Sequence, residues 1–170
     1  MTTTINRNYL EIKDISELSQ ISKPDKSCLV KIVDPTDFNL NKFFYKQIGK
    51  KYRWIDRLSW ENKKWIEYVN NKDVKTYKLI KGEELIGYFE QIFNNKKNDC
   101  EIAYFGILEE YFGKNYGAYL LSEAIKLSFQ NHVDRVWLHT CSLDHKNALP
   151  NYIARGMKIF KSEKITININ

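Results

Sequence analysis

Residues 112 to 118 combine a glycine-containing turn with the start of a helical pattern. Gly113 and Gly117 flank Lys114, Asn115 and Tyr116, and an apolar stretch precedes them. The first backbone N–H groups of a helix have no partner within it and therefore attract anions, while glycine lets a phosphate approach the backbone closely. The turn predicts a site for a phosphate-bearing ligand, although an ordinary strand-to-helix turn explains the same residues.

Glu101 is the only carboxylate in the apolar stretch from 100 to 108. Burial in a sheet would raise the pKa of its carboxyl toward neutrality, where a carboxylate serves as a general base. A solvent-exposed acid near the end of a strand is the alternative interpretation.

The stretch itself predicts a central strand covered on both sides, because both faces of its alternating pattern are apolar. With a helix at 116–130 and a strand at 134–141, it forms a crossover unit whose two strands are parallel. His139, within the second strand, is predicted to be a core histidine. The pattern assigns Glu101, Ala103, Phe105 and Ile107 to one face and Ile102, Tyr104 and Leu108 to the other.

The composition indicates one domain without membrane or metal signatures. The 170 residues suffice for a core, and none of their apolar runs approaches the roughly 18 residues of a membrane helix. The N-terminus resembles no signal peptide, and three cysteines without CxxC spacing argue against disulfides or zinc. We therefore expect reduced cysteines in a cytoplasmic protein. The net charge of +6 suits an anionic cofactor.

The other elements follow from hydrophobic periodicity and turn residues. Residues 1–27 are predicted to be an N-terminal extension with a short edge strand at 9–13, and residues 28–167 the domain. A short helix at 147–154 holds Pro150 in its first turn and ends before Gly156. The remaining predictions are strands at 28–33, 76–80 and 85–93, a terminal strand or hairpin at 157–167, and helices at 38–48 and about 60–69.

The segment from 50 to 69 is rich in aromatic and basic residues. Such a segment would suit stacking on single-stranded nucleic acid, but its second half matches an amphipathic helix, which is the interpretation we favour. Trp54, Asp56 and Arg57 fall in the loop before that helix. Taken alone, they are a core tryptophan and a local ion pair.

The turn at 112–118 resembles the acyl-CoA loop of the GNAT N-acetyltransferase superfamily, whose pattern is Arg/Gln-x-x-Gly-x-Gly/Ala. The matching residues are Phe112, Asn115 and Gly117. Phe112 stands where the family has Arg or Gln, and Asn115 where it has the first Gly. The backbone amides survive both changes, and asparagine tolerates left-handed backbone angles better than most residues.

A second motif follows, similar to the family's Asn-x-x-Ala-x-x-x-Tyr-x-x-x-Gly-Phe. His145 replaces the asparagine that would contact pantetheine, and Asn147 is a candidate substitute. The resemblance covers about residues 28 to 167 and is strongest to a bacterial branch of the superfamily. The residues at the motif spacing are His145, Ala148, Tyr152, Gly156 and Met157.

The resemblance implies an α/β (α+β) GNAT fold: a mixed, mostly antiparallel sheet with a β-α-β acyl-CoA unit and flanking helices. It implies acetyl-CoA as cosubstrate without a metal, and an amine-bearing small molecule or peptide as acceptor. It further implies a monomer or homodimer that binds neither nucleic acid nor membrane. The implied cofactor-binding residues are Ile107, Leu108, Phe112, Gly113, Lys114, Asn115, Tyr116, Gly117, Ala118, His145 and Asn147.

The resemblance also implies roles in catalysis. Tyr152 corresponds to the general acid that protonates the leaving thiolate, Glu101 to a base, and a backbone N–H near Ile107 to the group that polarises the carbonyl. The segment between the first two helices commonly lines the acceptor pocket, which makes Trp54, Asp56 and Arg57 substrate-site candidates. Cys141 is not expected to be a nucleophile, because direct transfer needs no covalent enzyme intermediate. A catalytically silent acyl-CoA-binding module is the alternative, and the Phe112 and His145 replacements favour it slightly.

Overall fold

The structure, a computed structural model, describes residues 1–168. Short 3-10 turns lie at Ile15–Glu17 and Glu109–Tyr111. The strands are β1 (Thr2–Ile12), β2 (Cys28–Ile32), β3 (Val74–Lys81), β4 (Glu84–Asn94), β5 (Asp99–Ile107), β6 (Arg135–Cys141) and β7 (Lys158–Asn168). The helices are α1 (Phe38–Gly49), α2 (Asn62–Val69), α3 (Tyr116–Phe129) and α4 (Ala148–Ala154).

The seven strands of the described chain form one sheet in the order β2-β3-β4-β5-β6-β1-β7. All neighbouring pairs are antiparallel except β5 and β6. The predicted α/β (α+β) class, with a mixed and mostly antiparallel sheet and flanking helices, is confirmed. Among residues 1–168, no helix has the length and apolarity that crossing a membrane requires.

The parallel pairing of β5 and β6 is short. It begins at Asp99 opposite Arg135 and ends at Glu101 opposite Trp137. Beyond Glu101 the two strands are no longer hydrogen-bonded to each other, so the sheet opens between the C-terminal halves of β5 and β6. The crossover helix α3 joins these strands, as the sequence predicts.

A β-bulge at Ala103 corrects the predicted faces of β5. On β4, Gln91 pairs with Ile102 and Glu90 pairs with Tyr104, which leaves Ala103 without a partner. The extra residue reverses the alternation that follows it. Ile102 therefore packs in the larger core cluster with α3, whereas Tyr104 packs against the smaller cluster beneath α1.

Two apolar clusters cover the two faces of the sheet. The larger lies under α3, whose Leu120, Leu121 and Ile125 are fully buried. The smaller lies under α1 and is centred on Phe44, whose ring stacks on Tyr88 of β4 at 4.7 Å between centroids. Apolar side chains thus pack on both faces of the central strands, in agreement with the apolar pattern of β5.

The prediction of an edge strand at the N-terminus is wrong. β1 spans Thr2–Ile12 and lies inside the sheet, where it pairs with β6 on one side and β7 on the other. Its first half carries polar side chains and a single buried one, Ile5. Backbone hydrogen bonds to neighbouring strands hold this half in the sheet, so its side chains show little of the apolar pattern that predicts a strand. The division of the chain at residue 28 remains a prediction.

Candidate functional site

A cleft of about 750 Å³ opens where β5 and β6 separate. The turn before α3, the loop before α4 and the segment between α1 and α2 form its other walls. All predicted site residues except Leu108 and Lys114 line it. They are Trp54, Asp56, Arg57, Glu101, Ile107, Phe112, Gly113, Asn115, Tyr116, Gly117, Ala118, His145, Asn147 and Tyr152.

The backbone N–H of Ile107 faces the open side of β5. Leu108 donates its N–H to Ile86 O at 2.8 Å, so these two residues form a hydrogen-bonded antiparallel pair. The adjacent pair, Gly87 opposite Ile107, is then of the non-hydrogen-bonded kind, whose N–H groups point away from each other. Since β6 has already diverged at this level, the Ile107 N–H is directed into the cleft.

Leu108 and Lys114 lie outside the cleft walls. The backbone N–H of Leu108 is used by Ile86, and its side chain packs in the cluster beneath α1. Lys114 is exposed in the turn, with its ammonium 5.9 Å from the ring centroid of Tyr111. A long lysine in this position remains a candidate only for phosphate groups near the mouth of the cleft.

The turn before α3 has the backbone that its sequence indicates. Gly113 and Asn115 both have left-handed backbones, with φ of 75° and 65°. The Asn115 side chain makes no capping bond to α3. A Cβ on Gly117 would meet only Ile107 Cγ1 at 3.8 Å and Asn151 Nδ2 at 4.0 Å, which is ordinary contact. The protein's own packing therefore does not require glycine at 117, and the space beside it belongs to the cleft.

Tyr152 is buried on α4 and borders the cleft. Its ring meets Phe105 of β5 edge-on, with 6.4 Å between centroids. Burial, assisted by the nearby charge of Asp144, raises the pKa of the Tyr152 phenol. The hydroxyl therefore keeps its proton throughout the neutral range, as a proton donor must.

Glu101 lies at the point where the cleft begins, opposite Trp137 in the last paired position of β5 and β6. Its pKa is raised, chiefly by burial and secondly by the charge of Asp99, while Arg57 opposes the shift. The carboxylate is therefore more basic than one in water, which is the property that the sequence analysis expects of a base at this position.

His145 does not extend freely from the loop before α4. Its Nδ1 accepts the Asn147 N–H at 3.0 Å, and its ring meets Phe112 at 5.0 Å and Tyr52 at 5.9 Å between centroids. The Phe112–His145 contact joins the α3 turn to the α4 loop across the cleft. The Asn147 side chain makes no capping bond to α4, which leaves its amide group available.

The three substrate-site candidates differ in their surroundings. Asp56 is exposed at the cleft, whereas Arg57 is buried and pairs with Glu90 of β4 at 2.9 Å instead of with Asp56. The ring of Trp54 meets that of Tyr104 edge-on, with 4.9 Å between centroids. Trp54 also packs tightly against Gly49 of α1, where an added Cβ would lie only 2.4 Å from the Cβ of Trp54. Trp54 and Arg57 are therefore parts of the packing as well as of the cleft wall.

Several residues of the cleft are not predicted from the sequence. His139 is exposed at the cleft instead of in the core, because the strand's other face carries Leu138 into the larger cluster. Asn151 lines the cleft and donates its side-chain N–H to Gly117 O at 3.3 Å, a link between α4 and α3. Arg7 and Arg53 also line it. Only Asn151 gives a sequence signal, since it neighbours the motif tyrosine.

The aromatic side chains of the 50–69 segment are turned inward. Trp65 is buried, and the guanidinium of Arg57 lies 4.7 Å from the ring centroid of Trp60 and 4.1 Å from that of Tyr68. Rings engaged in this way do not form an open stacking surface, which supports the amphipathic-helix interpretation of the segment.

Comparisons with known proteins agree with this geometry. A GCN5-related N-acetyltransferase from Sphaerobacter thermophilus superposes with a TM-score of 0.72 at 13% identity, covering 95% of this chain and 50% of its own. One from Kribbella flavida gives 0.67 at 12% identity, covering 97% and 58%. The chain thus spans half of the first protein and less than two thirds of the second.

With a third protein, the match extends over nearly the full length of that protein. Spermidine N-acetyltransferase from Vibrio cholerae, in complex with CoA and spermine, has a TM-score of 0.63 at 14% identity, covering 84% of this chain and 96% of its own. No curated protein matches the chain. The acetyltransferase (GNAT) family profile matches residues 38–157. The chain, with its mostly antiparallel seven-stranded sheet and its β-α-β unit, therefore belongs to the GNAT acetyltransferase family.

Proposed function

We propose that the protein transfers an acetyl group from acetyl-CoA to a primary amine of a small molecule or peptide, by direct attack within a ternary complex. The observation that carries the proposal is the Ile107 N–H directed into a cleft that opens between β5 and β6 and ends at the first turn of α3. A free N–H at this place can bind a carbonyl oxygen as negative charge develops on it.

The cleft residues fit acetyl-CoA. Its phosphates would lie at the first turn of α3, where the backbone N–H groups have no helical partners and Gly117 leaves room. Phe112, Gly113, Lys114, Asn115, Tyr116 and Ala118 belong to the same binding region, and Asn147 is the candidate for the pantetheine contact. His145 is a weaker candidate for that contact, because its Nδ1 is engaged by the Asn147 N–H. Acetyl-CoA supplies the thioester carbonyl that the amine attacks.

Two side chains would move protons. Glu101 would accept a proton from the acceptor's ammonium group, directly or through water, so that the neutral amine can attack, and its raised pKa brings it closer to neutrality for this role. After the carbon–nitrogen bond has formed, Tyr152 would donate its phenolic proton to the sulfur as the carbon–sulfur bond breaks. The proton that the nitrogen loses on becoming an amide would restore the phenol through water. Trp54 and Asp56 would bind the acceptor. The carboxylate of Asp56 would pair with the acceptor's ammonium group, and the ring face of Trp54 would lie against the same group. Arg57 would hold this segment to the sheet.

A catalytically silent acyl-CoA-binding protein of the same fold is the second candidate. The replacement of the family's Arg or Gln by Phe112 and the Phe112–His145 contact across the cleft favour it. Both candidates predict acetyl-CoA binding, but only the first predicts turnover.

One experiment separates the candidates. Acetyl-CoA is first titrated by calorimetry, and a panel of amines is then incubated with acetyl-CoA while a thiol reagent reads the CoA released. Binding with amine-dependent CoA release supports acetyl transfer. Binding without release from any amine indicates the silent module, and absence of binding rejects both.

A further inference from the structure

Arg7 brings a positive charge from β1 to the cleft. It pairs in register with Cys141 of β6 and Glu163 of β7, so the three side chains leave the sheet on one face. On the opposite face of these strands, Leu10 and Leu138 pack in the cluster under α3. Arg7 therefore lies on the other side of the sheet from α3, the side on which Tyr104 packs beneath α1.

Arg7 makes no salt bridge within the described chain, and the Tyr9 hydroxyl, more than the charges of Lys161 and Arg7, lowers the pKa of Glu163. Its nearest carboxylate in the strand register, Glu163, accepts the Tyr9 hydroxyl at 2.6 Å and lies 3.7 Å from Lys161. Asp144 accepts the Cys141 N–H at 3.0 Å and the Thr140 hydroxyl. Among residues 1–168, Arg7 forms no ion pair, and its Nε is buried without a hydrogen-bond partner. An anion in the cleft can reach only the terminal N–H groups of Arg7, because the buried Nε is closed to it.

Arg53 supplies a second cation from the segment between α1 and α2. Its Nη2 donates to Asn168 O at 2.9 Å, which leaves the other N–H groups of the guanidinium free of protein partners in the described chain. Arg53 has a left-handed backbone, with φ of 56°, and lines the same cleft as Arg7. The third arginine there, Arg57, differs because Glu90 neutralises it.

We infer that the acceptor carries an anionic group, a carboxylate or a phosphate, in addition to its amine, that Arg7 binds that group, and that Arg53 adds positive charge to the same cleft. This inference rests on the proposed function, whose acceptor it specifies. Guanidinium groups suit both anions, because their planar N–H groups match pairs of oxygen atoms. Asp56 and Glu101 line the same cleft, where their carboxylates can bind the amine. A cleft with carboxylates and guanidinium groups suits a zwitterion. A polyamine would place further ammonium groups against two unpaired guanidinium groups.

Matched acceptors test the inference. Amino acids are compared with their carboxamides, and phosphoethanolamine with ethanolamine, by acetyl-CoA-dependent release of CoA. The anionic member of at least one pair is expected to have the higher kcat/KM by about tenfold or more, since hydrogen bonds to charged groups are stronger than those between neutral groups. The pair that shows the difference identifies carboxylate or phosphate. Equal rates within both pairs, or a preference for the uncharged members, would overturn the inference.

Variants assign the effect to the two arginines. Arg7→Gln is expected to raise KM for the anionic acceptor by about 10-fold to 100-fold and Arg53→Gln to raise it by less, and both should leave KM for acetyl-CoA unchanged. Arg7→Lys, which keeps the charge without the planar fork, should lose less. Lys158→Gln, on an exposed side chain away from the cleft, is the control. If both glutamine variants retain the wild-type KM, the arginines do not bind the acceptor.

A binding measurement separates failure of this inference from failure of the proposed function. If no amine releases CoA, acetyl transfer is rejected, and N-acetylated amino acids are titrated calorimetrically against the CoA-loaded protein. Binding that Arg7→Gln abolishes, and that the N-acetyl carboxamides lack, supports the anion site. Binding that is indifferent to Arg7, or absent, overturns it. Thermal melts of all variants establish that they are folded.

Discussion

Arg57 Nη1 lies 2.9 Å from Glu90 Oε1, and both side chains are buried. The carboxylate also accepts the Tyr68 hydroxyl at 2.6 Å and an Asn41 side-chain N–H at 2.8 Å. The ring of Tyr104 lies 4.2 Å from the guanidinium carbon. These contacts tie the segment between α1 and α2 to β4 and β5, and they hold that wall of the cleft in place.

Glu90→Gln should therefore destabilise the protein. Removing one charge of a buried pair leaves the other uncompensated, which costs about 3–5 kcal/mol in the free energy of unfolding. Urea unfolding measures the change. Glu109→Gln, which breaks the exposed pair with Lys51, is the control and should leave the midpoint nearly unchanged. A Glu90→Gln midpoint equal to that of the control would show that the pair does not stabilise the fold.

Gly117→Trp should abolish acetyl-CoA binding without unfolding the protein. Nothing closer than 3.8 Å surrounds a Cβ at this position, so a larger side chain extends into the cleft where the cosubstrate would lie. Calorimetric titration measures binding, and a thermal melt checks the fold. Gly117→Ala is the matched control, and its structure should be undisturbed. Equal acetyl-CoA affinity of wild type and Gly117→Trp would place the cofactor elsewhere.

Tyr152→Phe should lower kcat by about 10²-fold to 10⁴-fold, the usual contribution of general acid catalysis. The substitution removes one oxygen and keeps the ring that meets Phe105, so acetyl-CoA affinity and stability should change little. Steady-state kinetics and calorimetry give the two quantities. The loss should shrink with an acyl donor whose leaving group needs no protonation. An unchanged kcat, where chemistry limits the rate, would assign Tyr152 to packing.

Glu101→Gln should remove the acidic limb of the pH–rate profile. The carboxylate is the active form of the base, so wild-type kcat/KM should fall as the pH drops through the raised pKa of Glu101. Stability should show the opposite dependence. The folded state holds this proton more tightly than the unfolded one, so the stability of wild type relative to Glu101→Gln falls as pH rises above the ordinary value of 4.5. Identical pH–rate profiles for the two proteins would exclude Glu101 as the base.

Asp56→Asn should raise KM for the acceptor by about tenfold. This is the lower end of the range expected for losing a hydrogen bond to a charged group, because Asp56 is exposed at the cleft. Its stability should match wild type. Arg57→Ala should lose stability instead, because Glu90 then lacks its buried partner. Acceptor kinetics and urea unfolding of both variants form the test. If Asp56→Asn leaves KM unchanged for every accepted amine, the residue has no part in acceptor binding.

The sequence by itself was sufficient for the β5-α3-β6 unit. An apolar strand, a left-handed turn at Gly113 and Asn115 and a helical repeat are local patterns, and the structure places these elements within about a residue of the prediction. The same holds for α4, where Gly156 has a left-handed backbone with φ of 108° directly after the helix. Tyr152 could be located for this reason.

Only the tertiary structure decided which distant residues share the cleft. The bulge at Ala103, the position of β1 inside the sheet and the Arg57–Glu90 pair all depend on backbone or charge pairing between segments far apart in the chain. No local periodicity records such pairing, because the hydrogen bonds of a sheet are made by backbone groups that every residue carries. Arg7 therefore resembles any polar residue near a terminus until β1 is placed between β6 and β7, where its unpaired guanidinium borders the cleft.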